Sequence, residues 1–196
     1  MSLTLVTAPT VYPITLAEAK AQCVVEHSDH DDLITAMIAA ATDYAEKYTG
    51  RDLVQRTWDY SFDLFGSGDI ELPKTPVQSV TSVTYTDVTT SPELNTLSTA
   101  VYGLDSGGDI PFIYEKYDQY WPDHTIVHNG ITVRFVSGYA VTGSPEDYRA
   151  SIPEGIKAAI KLLVADLYKN REKNTDIQTF DNHTCDMLLN AFRVYR

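Results

Sequence analysis

The hydrophobic period of this chain changes twice along its length, and that change constrains its architecture more than any single motif. From Leu33 to Tyr48 the apolar residues Leu33, Ile34, Met37, Ile38, Ala41, Tyr44, Ala45 and Tyr48 recur at three- and four-residue spacing, as a helix with one buried face requires. From Trp58 the period falls to two: Trp58, Tyr60, Phe62 and Leu64 alternate with Asp59, Ser61 and Asp63, the pattern of a strand with one wet face. After Pro153 the helical period returns in Ile156, Ala159, Ile160, Leu163, Val164, Leu167 and Tyr168. This order predicts an α+β fold, a small helical bundle from N- and C-terminal helices with an inserted antiparallel β-rich lobe.

Local punctuation refines the plan. Thr15 and Glu18 have the spacing of a capping box, which opens a short helix from about Leu16 to Val24. Asp29, Asp31 and Asp32 precede or enter the first turn of the second helix, where its dipole favours negative charge, and Gly50 supplies a left-handed stop. Further strands are expected at Ile70 to Leu72, Val80 to Tyr85, Ala100 to Leu104 and Ile131 to Val136, separated by glycines and prolines such as Gly66, Gly68, Pro73, Pro76 and Gly130. The stretch from Ser106 to Asn129 is irregular and aromatic, with Phe112, Tyr114, Tyr117, Tyr120 and Trp121, and reads either as a long functional loop or as a packed cover over the sheet. Pro153 opens the third helix, which should end near Arg171 to Lys173. A polar linker, Asn174 to His183, then leads to a short amphipathic end. The organisation is residues 1–53 as N-terminal helices, 54–150 as the β-rich lobe and 151–196 as C-terminal helices, together one domain.

Composition narrows the function. With 15 basic and 27 acidic side chains the net charge is −12, which argues against a protein whose main task is to grip phosphate. The acidity is uneven: residues 1–53 sum to −5, residues 54–150 to −8 and residues 151–196 to +1. Such ends can associate head to tail or meet an acidic partner. No apolar run approaches the roughly 18 residues of a membrane span, and Met1 to Thr10 lack the features of a signal peptide, so a soluble, cytosolic chain is expected. Cys23 and Cys185 stand far apart and suggest buried free thiols rather than a disulfide or zinc knuckle.

Chemistry is sparse. His27, Asp29, His30 and Asp31 are the one dense set of possible metal ligands, but they fall at a helix start where acids already have a reason to be, and no metal or cofactor is expected. Asp123 beside His124 has no nucleophile elbow to serve, and no P-loop or dinucleotide glycine pattern occurs, so an enzyme is not expected.

The residues in order resemble the head-tail connector (head-completion adaptor) family of tailed bacteriophages and prophages. The likeness runs through Pro13, Thr15, Leu16, Glu18, Ala19 and Lys20; Asp31 to Ile34; Thr49 to Arg51; Gln55, Thr57 and Trp58; Leu72, Pro73, Pro76, Val77, Ser79, Val80, Val83 and Tyr85. It continues in Trp121, Pro122, Val133, Phe135, Gly138 and Tyr139, then Pro153, Ile156, Ala159, Ile160, Leu163, Leu167, Tyr168, Arg171 and Glu172, and ends in Leu188, Leu189 and Arg193. Two departures stand out: Phe192 replaces a common tyrosine, and the middle from Thr86 to Asn129 is long and does not look shared.

The resemblance implies a structural ring subunit at the virion neck, assembled in the host bacterial cytoplasm, away from any membrane. The ring would be twelve-fold to follow the portal protein, extend the DNA channel without binding DNA specifically, and offer a platform to a stopper or tail-completion protein. A single subunit can remain monomeric until the portal templates it. For portal or neighbour contact the expected residues are Lys169, Arg171, Lys173, Phe192, Arg193 and Tyr195, a basic amphipathic end behind a polar linker; the alternative is that this end packs on its own helices. A different class of reading is a virion-associated binding module that uses Tyr114 to Trp121 against a host surface or glycan.

Overall fold

A computed structural model describes residues 1–66, 68–87, 93–142, 147, 149–170 and 183–195. The chain forms two compact units, one from Met1–Pro9 and Gln55–Ala140 with Arg196, the other from Thr10–Val54 and Val141–Tyr195. Helices fill the second unit and antiparallel sheets the first, the mixed α+β class read from the change of period. Among the described residues no helix is long and apolar enough to cross a membrane.

The helical unit contains α1 (Leu16–Cys23), α2 (Asp31–Thr49), α3 (Glu154–Lys169) and α4 (Thr184–Asn190). α3 packs against each of the other three. Of the sequence stripes, Ile156, Ala159, Ile160 and Val164 on α3 and Ile34, Ile38, Ala41 and Ala45 on α2 are buried, whereas Leu33 and Leu167 are exposed. The capping box forms in both directions: the Glu18 backbone N–H donates to Thr15 Oγ1 at 3.1 Å, and the Thr15 backbone N–H donates to Glu18 Oε2 at 2.7 Å. The backbone donor of Thr15 also holds the Glu18 carboxyl below the usual range. α2 ends on Gly50 at φ +72°, whose N–H reaches Glu46 O at 2.9 Å. Next to that stop the buried Glu46 accepts a hydrogen bond from the Leu53 backbone N–H at 3.0 Å, which fixes the exit of the chain. α3 stops at Lys169, slightly before the expected end, and Asn170 caps it by donating its N–H to Asp166 O at 2.8 Å. The expected linker lies outside the described residues, except for His183.

In the sheet unit, β1 (Ser2–Thr7), β2 (Arg56–Phe62), β8 (Ile131–Ser137), β4 (Val77–Thr86) and β5 (Leu94–Thr96) form one sheet in the order β1-β2-β8-β4-β5. β3 (Ile70–Glu71), β7 (Phe112–Glu115) and β6 (Tyr102–Asp105) form a second, in the order β3-β7-β6. Both sheets contribute to one core, with Phe62, Val77, Val83, Ile131, Val133 and Phe135 from the larger and Leu72, Tyr102 and Ile113 on the side of the smaller. On the central strand β8, Ile131, Val133, Phe135 and Ser137 are buried in strict alternation. On the opposite face Arg134 stands in register with Asp59, and both its Nε and Nη2 donate to that carboxylate at 2.7 Å. The bidentate pair raises the pKa of Arg134.

Three features of this unit depart from the expectations. β1 is a strand in a stretch with no strand assigned to it, β5 is additional, and β7 runs through the aromatic segment read as irregular. Part of that segment acts as a cover, since the Trp121 ring stacks on Phe65 with centroids 5.0 Å apart. Leu64 lies outside β2 and is exposed.

α1 terminates at a residue with a steric penalty. Val24 is left-handed at φ +57°, its N–H reaching Lys20 O and Ala21 O, and its side chain is 88% exposed. A β-branched residue there costs roughly 1–2 kcal/mol, while the lost packing is negligible. Val24→Gly is expected to stabilise the protein by about 1 kcal/mol in a urea titration.

Candidate functional site

The C-terminal end is built as a strap on the helical unit. Leu189 is buried on α4, after which Phe192 N–H donates to Leu189 O at 2.9 Å and turns the chain. Val194 N–H donates to Thr49 O at 2.8 Å, and Arg51 Nε donates to Phe192 O at 2.7 Å, tying the strap to the end of α2. The half-buried Phe192 ring lies over Gly155 at the start of α3, where a Cβ would come within 2.9 Å of Cε2. A glycine is what this close approach needs, a role that sequence reasoning had no means of assigning to it.

Above the strap sits an exposed aromatic and cationic patch. The Arg193 guanidinium lies 5.4 Å from the Tyr48 ring centroid and 5.3 Å from that of Tyr195. Tyr44 stacks on Tyr48 with centroids 6.0 Å apart and donates its hydroxyl to Asp186 Oδ1 at 2.8 Å. That hydrogen bond, aided by desolvation and the carboxylate charge, pushes the Tyr44 phenol up to about 12. Tyr44 and Tyr48 read in sequence as part of the core stripe of α2; Tyr44 is in fact exposed and Tyr48 half-buried. Their four-residue spacing was the only available signal of a shared face.

The six residues expected to make contacts are therefore not one cluster. Phe192, Arg193 and Tyr195 lie together on the strap, with Arg193 and Tyr195 exposed. Lys169 is exposed at the other end of α3 from Gly155, about 21 Å along the helix axis. Arg171 and Lys173 lie outside the described residues. Another cation of the basic end is used internally: Lys157 is largely buried and donates to Glu154 Oε1 at 2.6 Å and Arg149 O at 3.2 Å.

Folding also redistributes charge. The segments of the helical unit hold 16 acids and 10 bases and those of the sheet unit 11 and 5, so each carries −6. The acidic first helices and the basic end belong to one unit, which removes the polarity seen along the chain.

The remaining candidates have partners or are dispersed. His30 Nδ1 lies 2.7 Å from the Tyr168 hydroxyl, Asp31 pairs with Lys20 at 2.6 Å, and His27 lies 3.8 Å from Asp29. Among the described residues no group of three or more His, Cys, Asp or Glu side chains is placed to hold a metal. Cys23 and Cys185 are free, as expected, but half-buried rather than buried; desolvation raises both thiols. In the aromatic middle, Tyr117 and Tyr120 are exposed, whereas Trp121 is held by its ring stack and by Glu115, which accepts its backbone N–H.

Two predictions come from this arrangement. Phe192→Ala should lower stability by about 1–2 kcal/mol, a half-buried fraction of the usual phenylalanine cost, and speed hydrogen exchange at Val194 N–H. Asp186→Asn should return the Tyr44 phenol from about 12 toward 10 in an ultraviolet titration. The hydrogen-bond contribution is complete below pH 10, where tyrosine is protonated folded or unfolded, and is lost as pH rises to about 12.

Residues 13–103 match the family model described as phage gp6-like head-tail connector protein. No curated protein matches the chain in sequence. Among solved structures, a chain from the "Virion of native gene transfer agent (GTA) particle" is similar with a TM-score of 0.78 at 19% identity. Chains from the "Neck of empty GTA particle computed with C6 symmetry" and the "Neck of native GTA particle computed with C12 symmetry" give TM-scores of 0.76 and 0.75 at 19% and 22% identity. Each likeness covers 100% of this chain and 97% of the other, so the fold is shared through the middle that looked unshared in sequence. Over residues 13–103, close to half its length, the chain thus matches the phage head-tail connector family, the family that its ordered residues from Pro13 onward resemble.

Proposed function

We propose that this chain is a structural subunit of the neck of a tailed phage or phage-like particle. The observation that carries the reading is the connector-family match, supported by a fold shared over the full chain with proteins of particle necks computed with C6 and C12 symmetry. The subunit forms a ring below the portal, twelve-fold to follow it, that extends the DNA channel and carries a stopper or tail-completion protein. It assembles in the host bacterial cytoplasm and remains at the virion neck, and its role is structural rather than catalytic. A net charge of −6 on the segments of each unit suits a wall past which phosphate slides without sticking.

Portal or neighbour contact is assigned to Lys169, Arg171, Lys173, Arg193 and Tyr195, with Phe192 holding the strap in place. Arginine and tyrosine are the side chains that most often dominate such interfaces, and Arg193 and Tyr195 are exposed together. A second reading, a binding module for a glycan or host surface, is favoured by the exposed Tyr117 and Tyr120.

Electron microscopy of the protein mixed with its portal separates the two. Rings stacked on the portal are expected, and Arg193→Glu with Tyr195→Ala should reduce portal binding by about tenfold while leaving the fold intact. Point variants are needed because truncation before α4 would also remove the buried Leu189. Glycan binding by a monomer that never joins the portal would overturn the ring reading.

A further inference from the structure

We infer that the sheet unit carries a docking site for an extended basic segment of a partner polypeptide, formed by the free edge of β1 and an adjoining acidic cleft. The inference rests on the sheet unit alone and does not require the ring. β1 is paired only with β2 and ends the order of the larger sheet, so one side of its backbone faces no strand among the described residues. Proteins usually guard such an edge with lysine, proline or a bulge. Ser2–Thr7 contain no charge and no proline, Leu3, Leu5 and Val6 are 36–44% exposed, and the single irregularity in pairing lies at the far end, between Leu5 and Thr7. This edge can add a strand by main-chain hydrogen bonds alone.

Beside it opens a cleft of about 560 Å³ with Tyr60, Phe62 and Ile70 on its walls and Asp63, Asp69 and Glu71 at its rim. Met1 also lines it and its α-ammonium acts on Asp63, so one cation faces three carboxylates, and no basic side chain is among the lining residues. Met1, immediately before β1, lines the cleft together with Tyr60, the register partner of Leu3, so the cleft adjoins the start of the edge strand. Asp63 is partly engaged, accepting the Asn129 backbone N–H at 2.7 Å with His128 Nδ1 at 3.3 Å. Asp69 and Glu71 take part in no ion pair among the described residues. Aromatic walls with an acidic rim suit the apolar stem and charged head of an arginine or lysine, which selects a basic segment over an acidic or neutral one.

The probe is a labelled synthetic peptide of alternating leucine and arginine, titrated against the full chain by fluorescence anisotropy. Saturable binding that weakens with salt is expected, and Asp69→Asn with Glu71→Gln should weaken it by about fivefold. Both residues are exposed, so the variant keeps its fold. The same peptide N-methylated at alternate residues should lose binding, because it cannot extend the sheet. Absence of saturable binding, equal binding by the double variant, or equal binding of the methylated peptide would overturn the inference, the last showing only attraction to an acidic surface.

Discussion

The packing of α3 against three other helices is the constraint on which the rest of the helical unit depends. Its buried stripe, Ile156, Ala159, Ile160 and Val164, draws segments from both ends of the sequence into one body. Each large apolar side chain buried this way contributes about 1.5–3 kcal/mol, enough together to offset closing so long an excursion, whose entropic cost grows only slowly with length. Local devices then act on a framework already determined. The Thr15–Glu18 box orients α1, Gly50 ends α2, and the Phe192 strap is possible because α3 begins with a glycine against which the ring can lie.

The sheet unit obeys a different logic. Its core forms between two sheets, with β8 central and alternating strictly between a buried and a wet side. The Arg134–Asp59 pair sits on the other side of that strand, where its exposure limits its energetic worth and makes its bidentate geometry chiefly a register mark.

Elements that bury one face were legible in the sequence, because burial imprints a period. α2, α3 and β8 follow that rule, and β2 does so in part, with Phe62 buried and Trp58 and Tyr60 packed against the core. β1 was not legible although Leu3 and Leu5 alternate with Ser2 and Thr4, because the alternation spans only four residues and its partner strand lies fifty or more residues away. β7 was hidden among aromatic residues whose partners come from distant strands. For the candidate site, the basic and aromatic character of the C-terminal end was apparent, but its grouping was not. Phe192, Arg193 and Tyr195 meet Tyr48, Arg51 and Gly155 through contacts distant in sequence, while Lys169, closer to them in sequence than Tyr48, stands at the opposite end of α3.

The sequence by itself determined the class of fold, the cap of the first helix and the stop of the second, the absence of a phosphate-gripping charge and the resemblance to connector proteins. These follow from side-chain type and near-neighbour spacing, which act before the chain closes. Tertiary structure alone decided that acidic and basic ends share one unit, that Tyr44 is a surface phenol bound to Asp186, and that a strand edge without charge or proline adjoins an acidic cleft. Each of those depends on which distant segments meet, and that is settled by the burial of complementary surfaces rather than by any local preference of the chain.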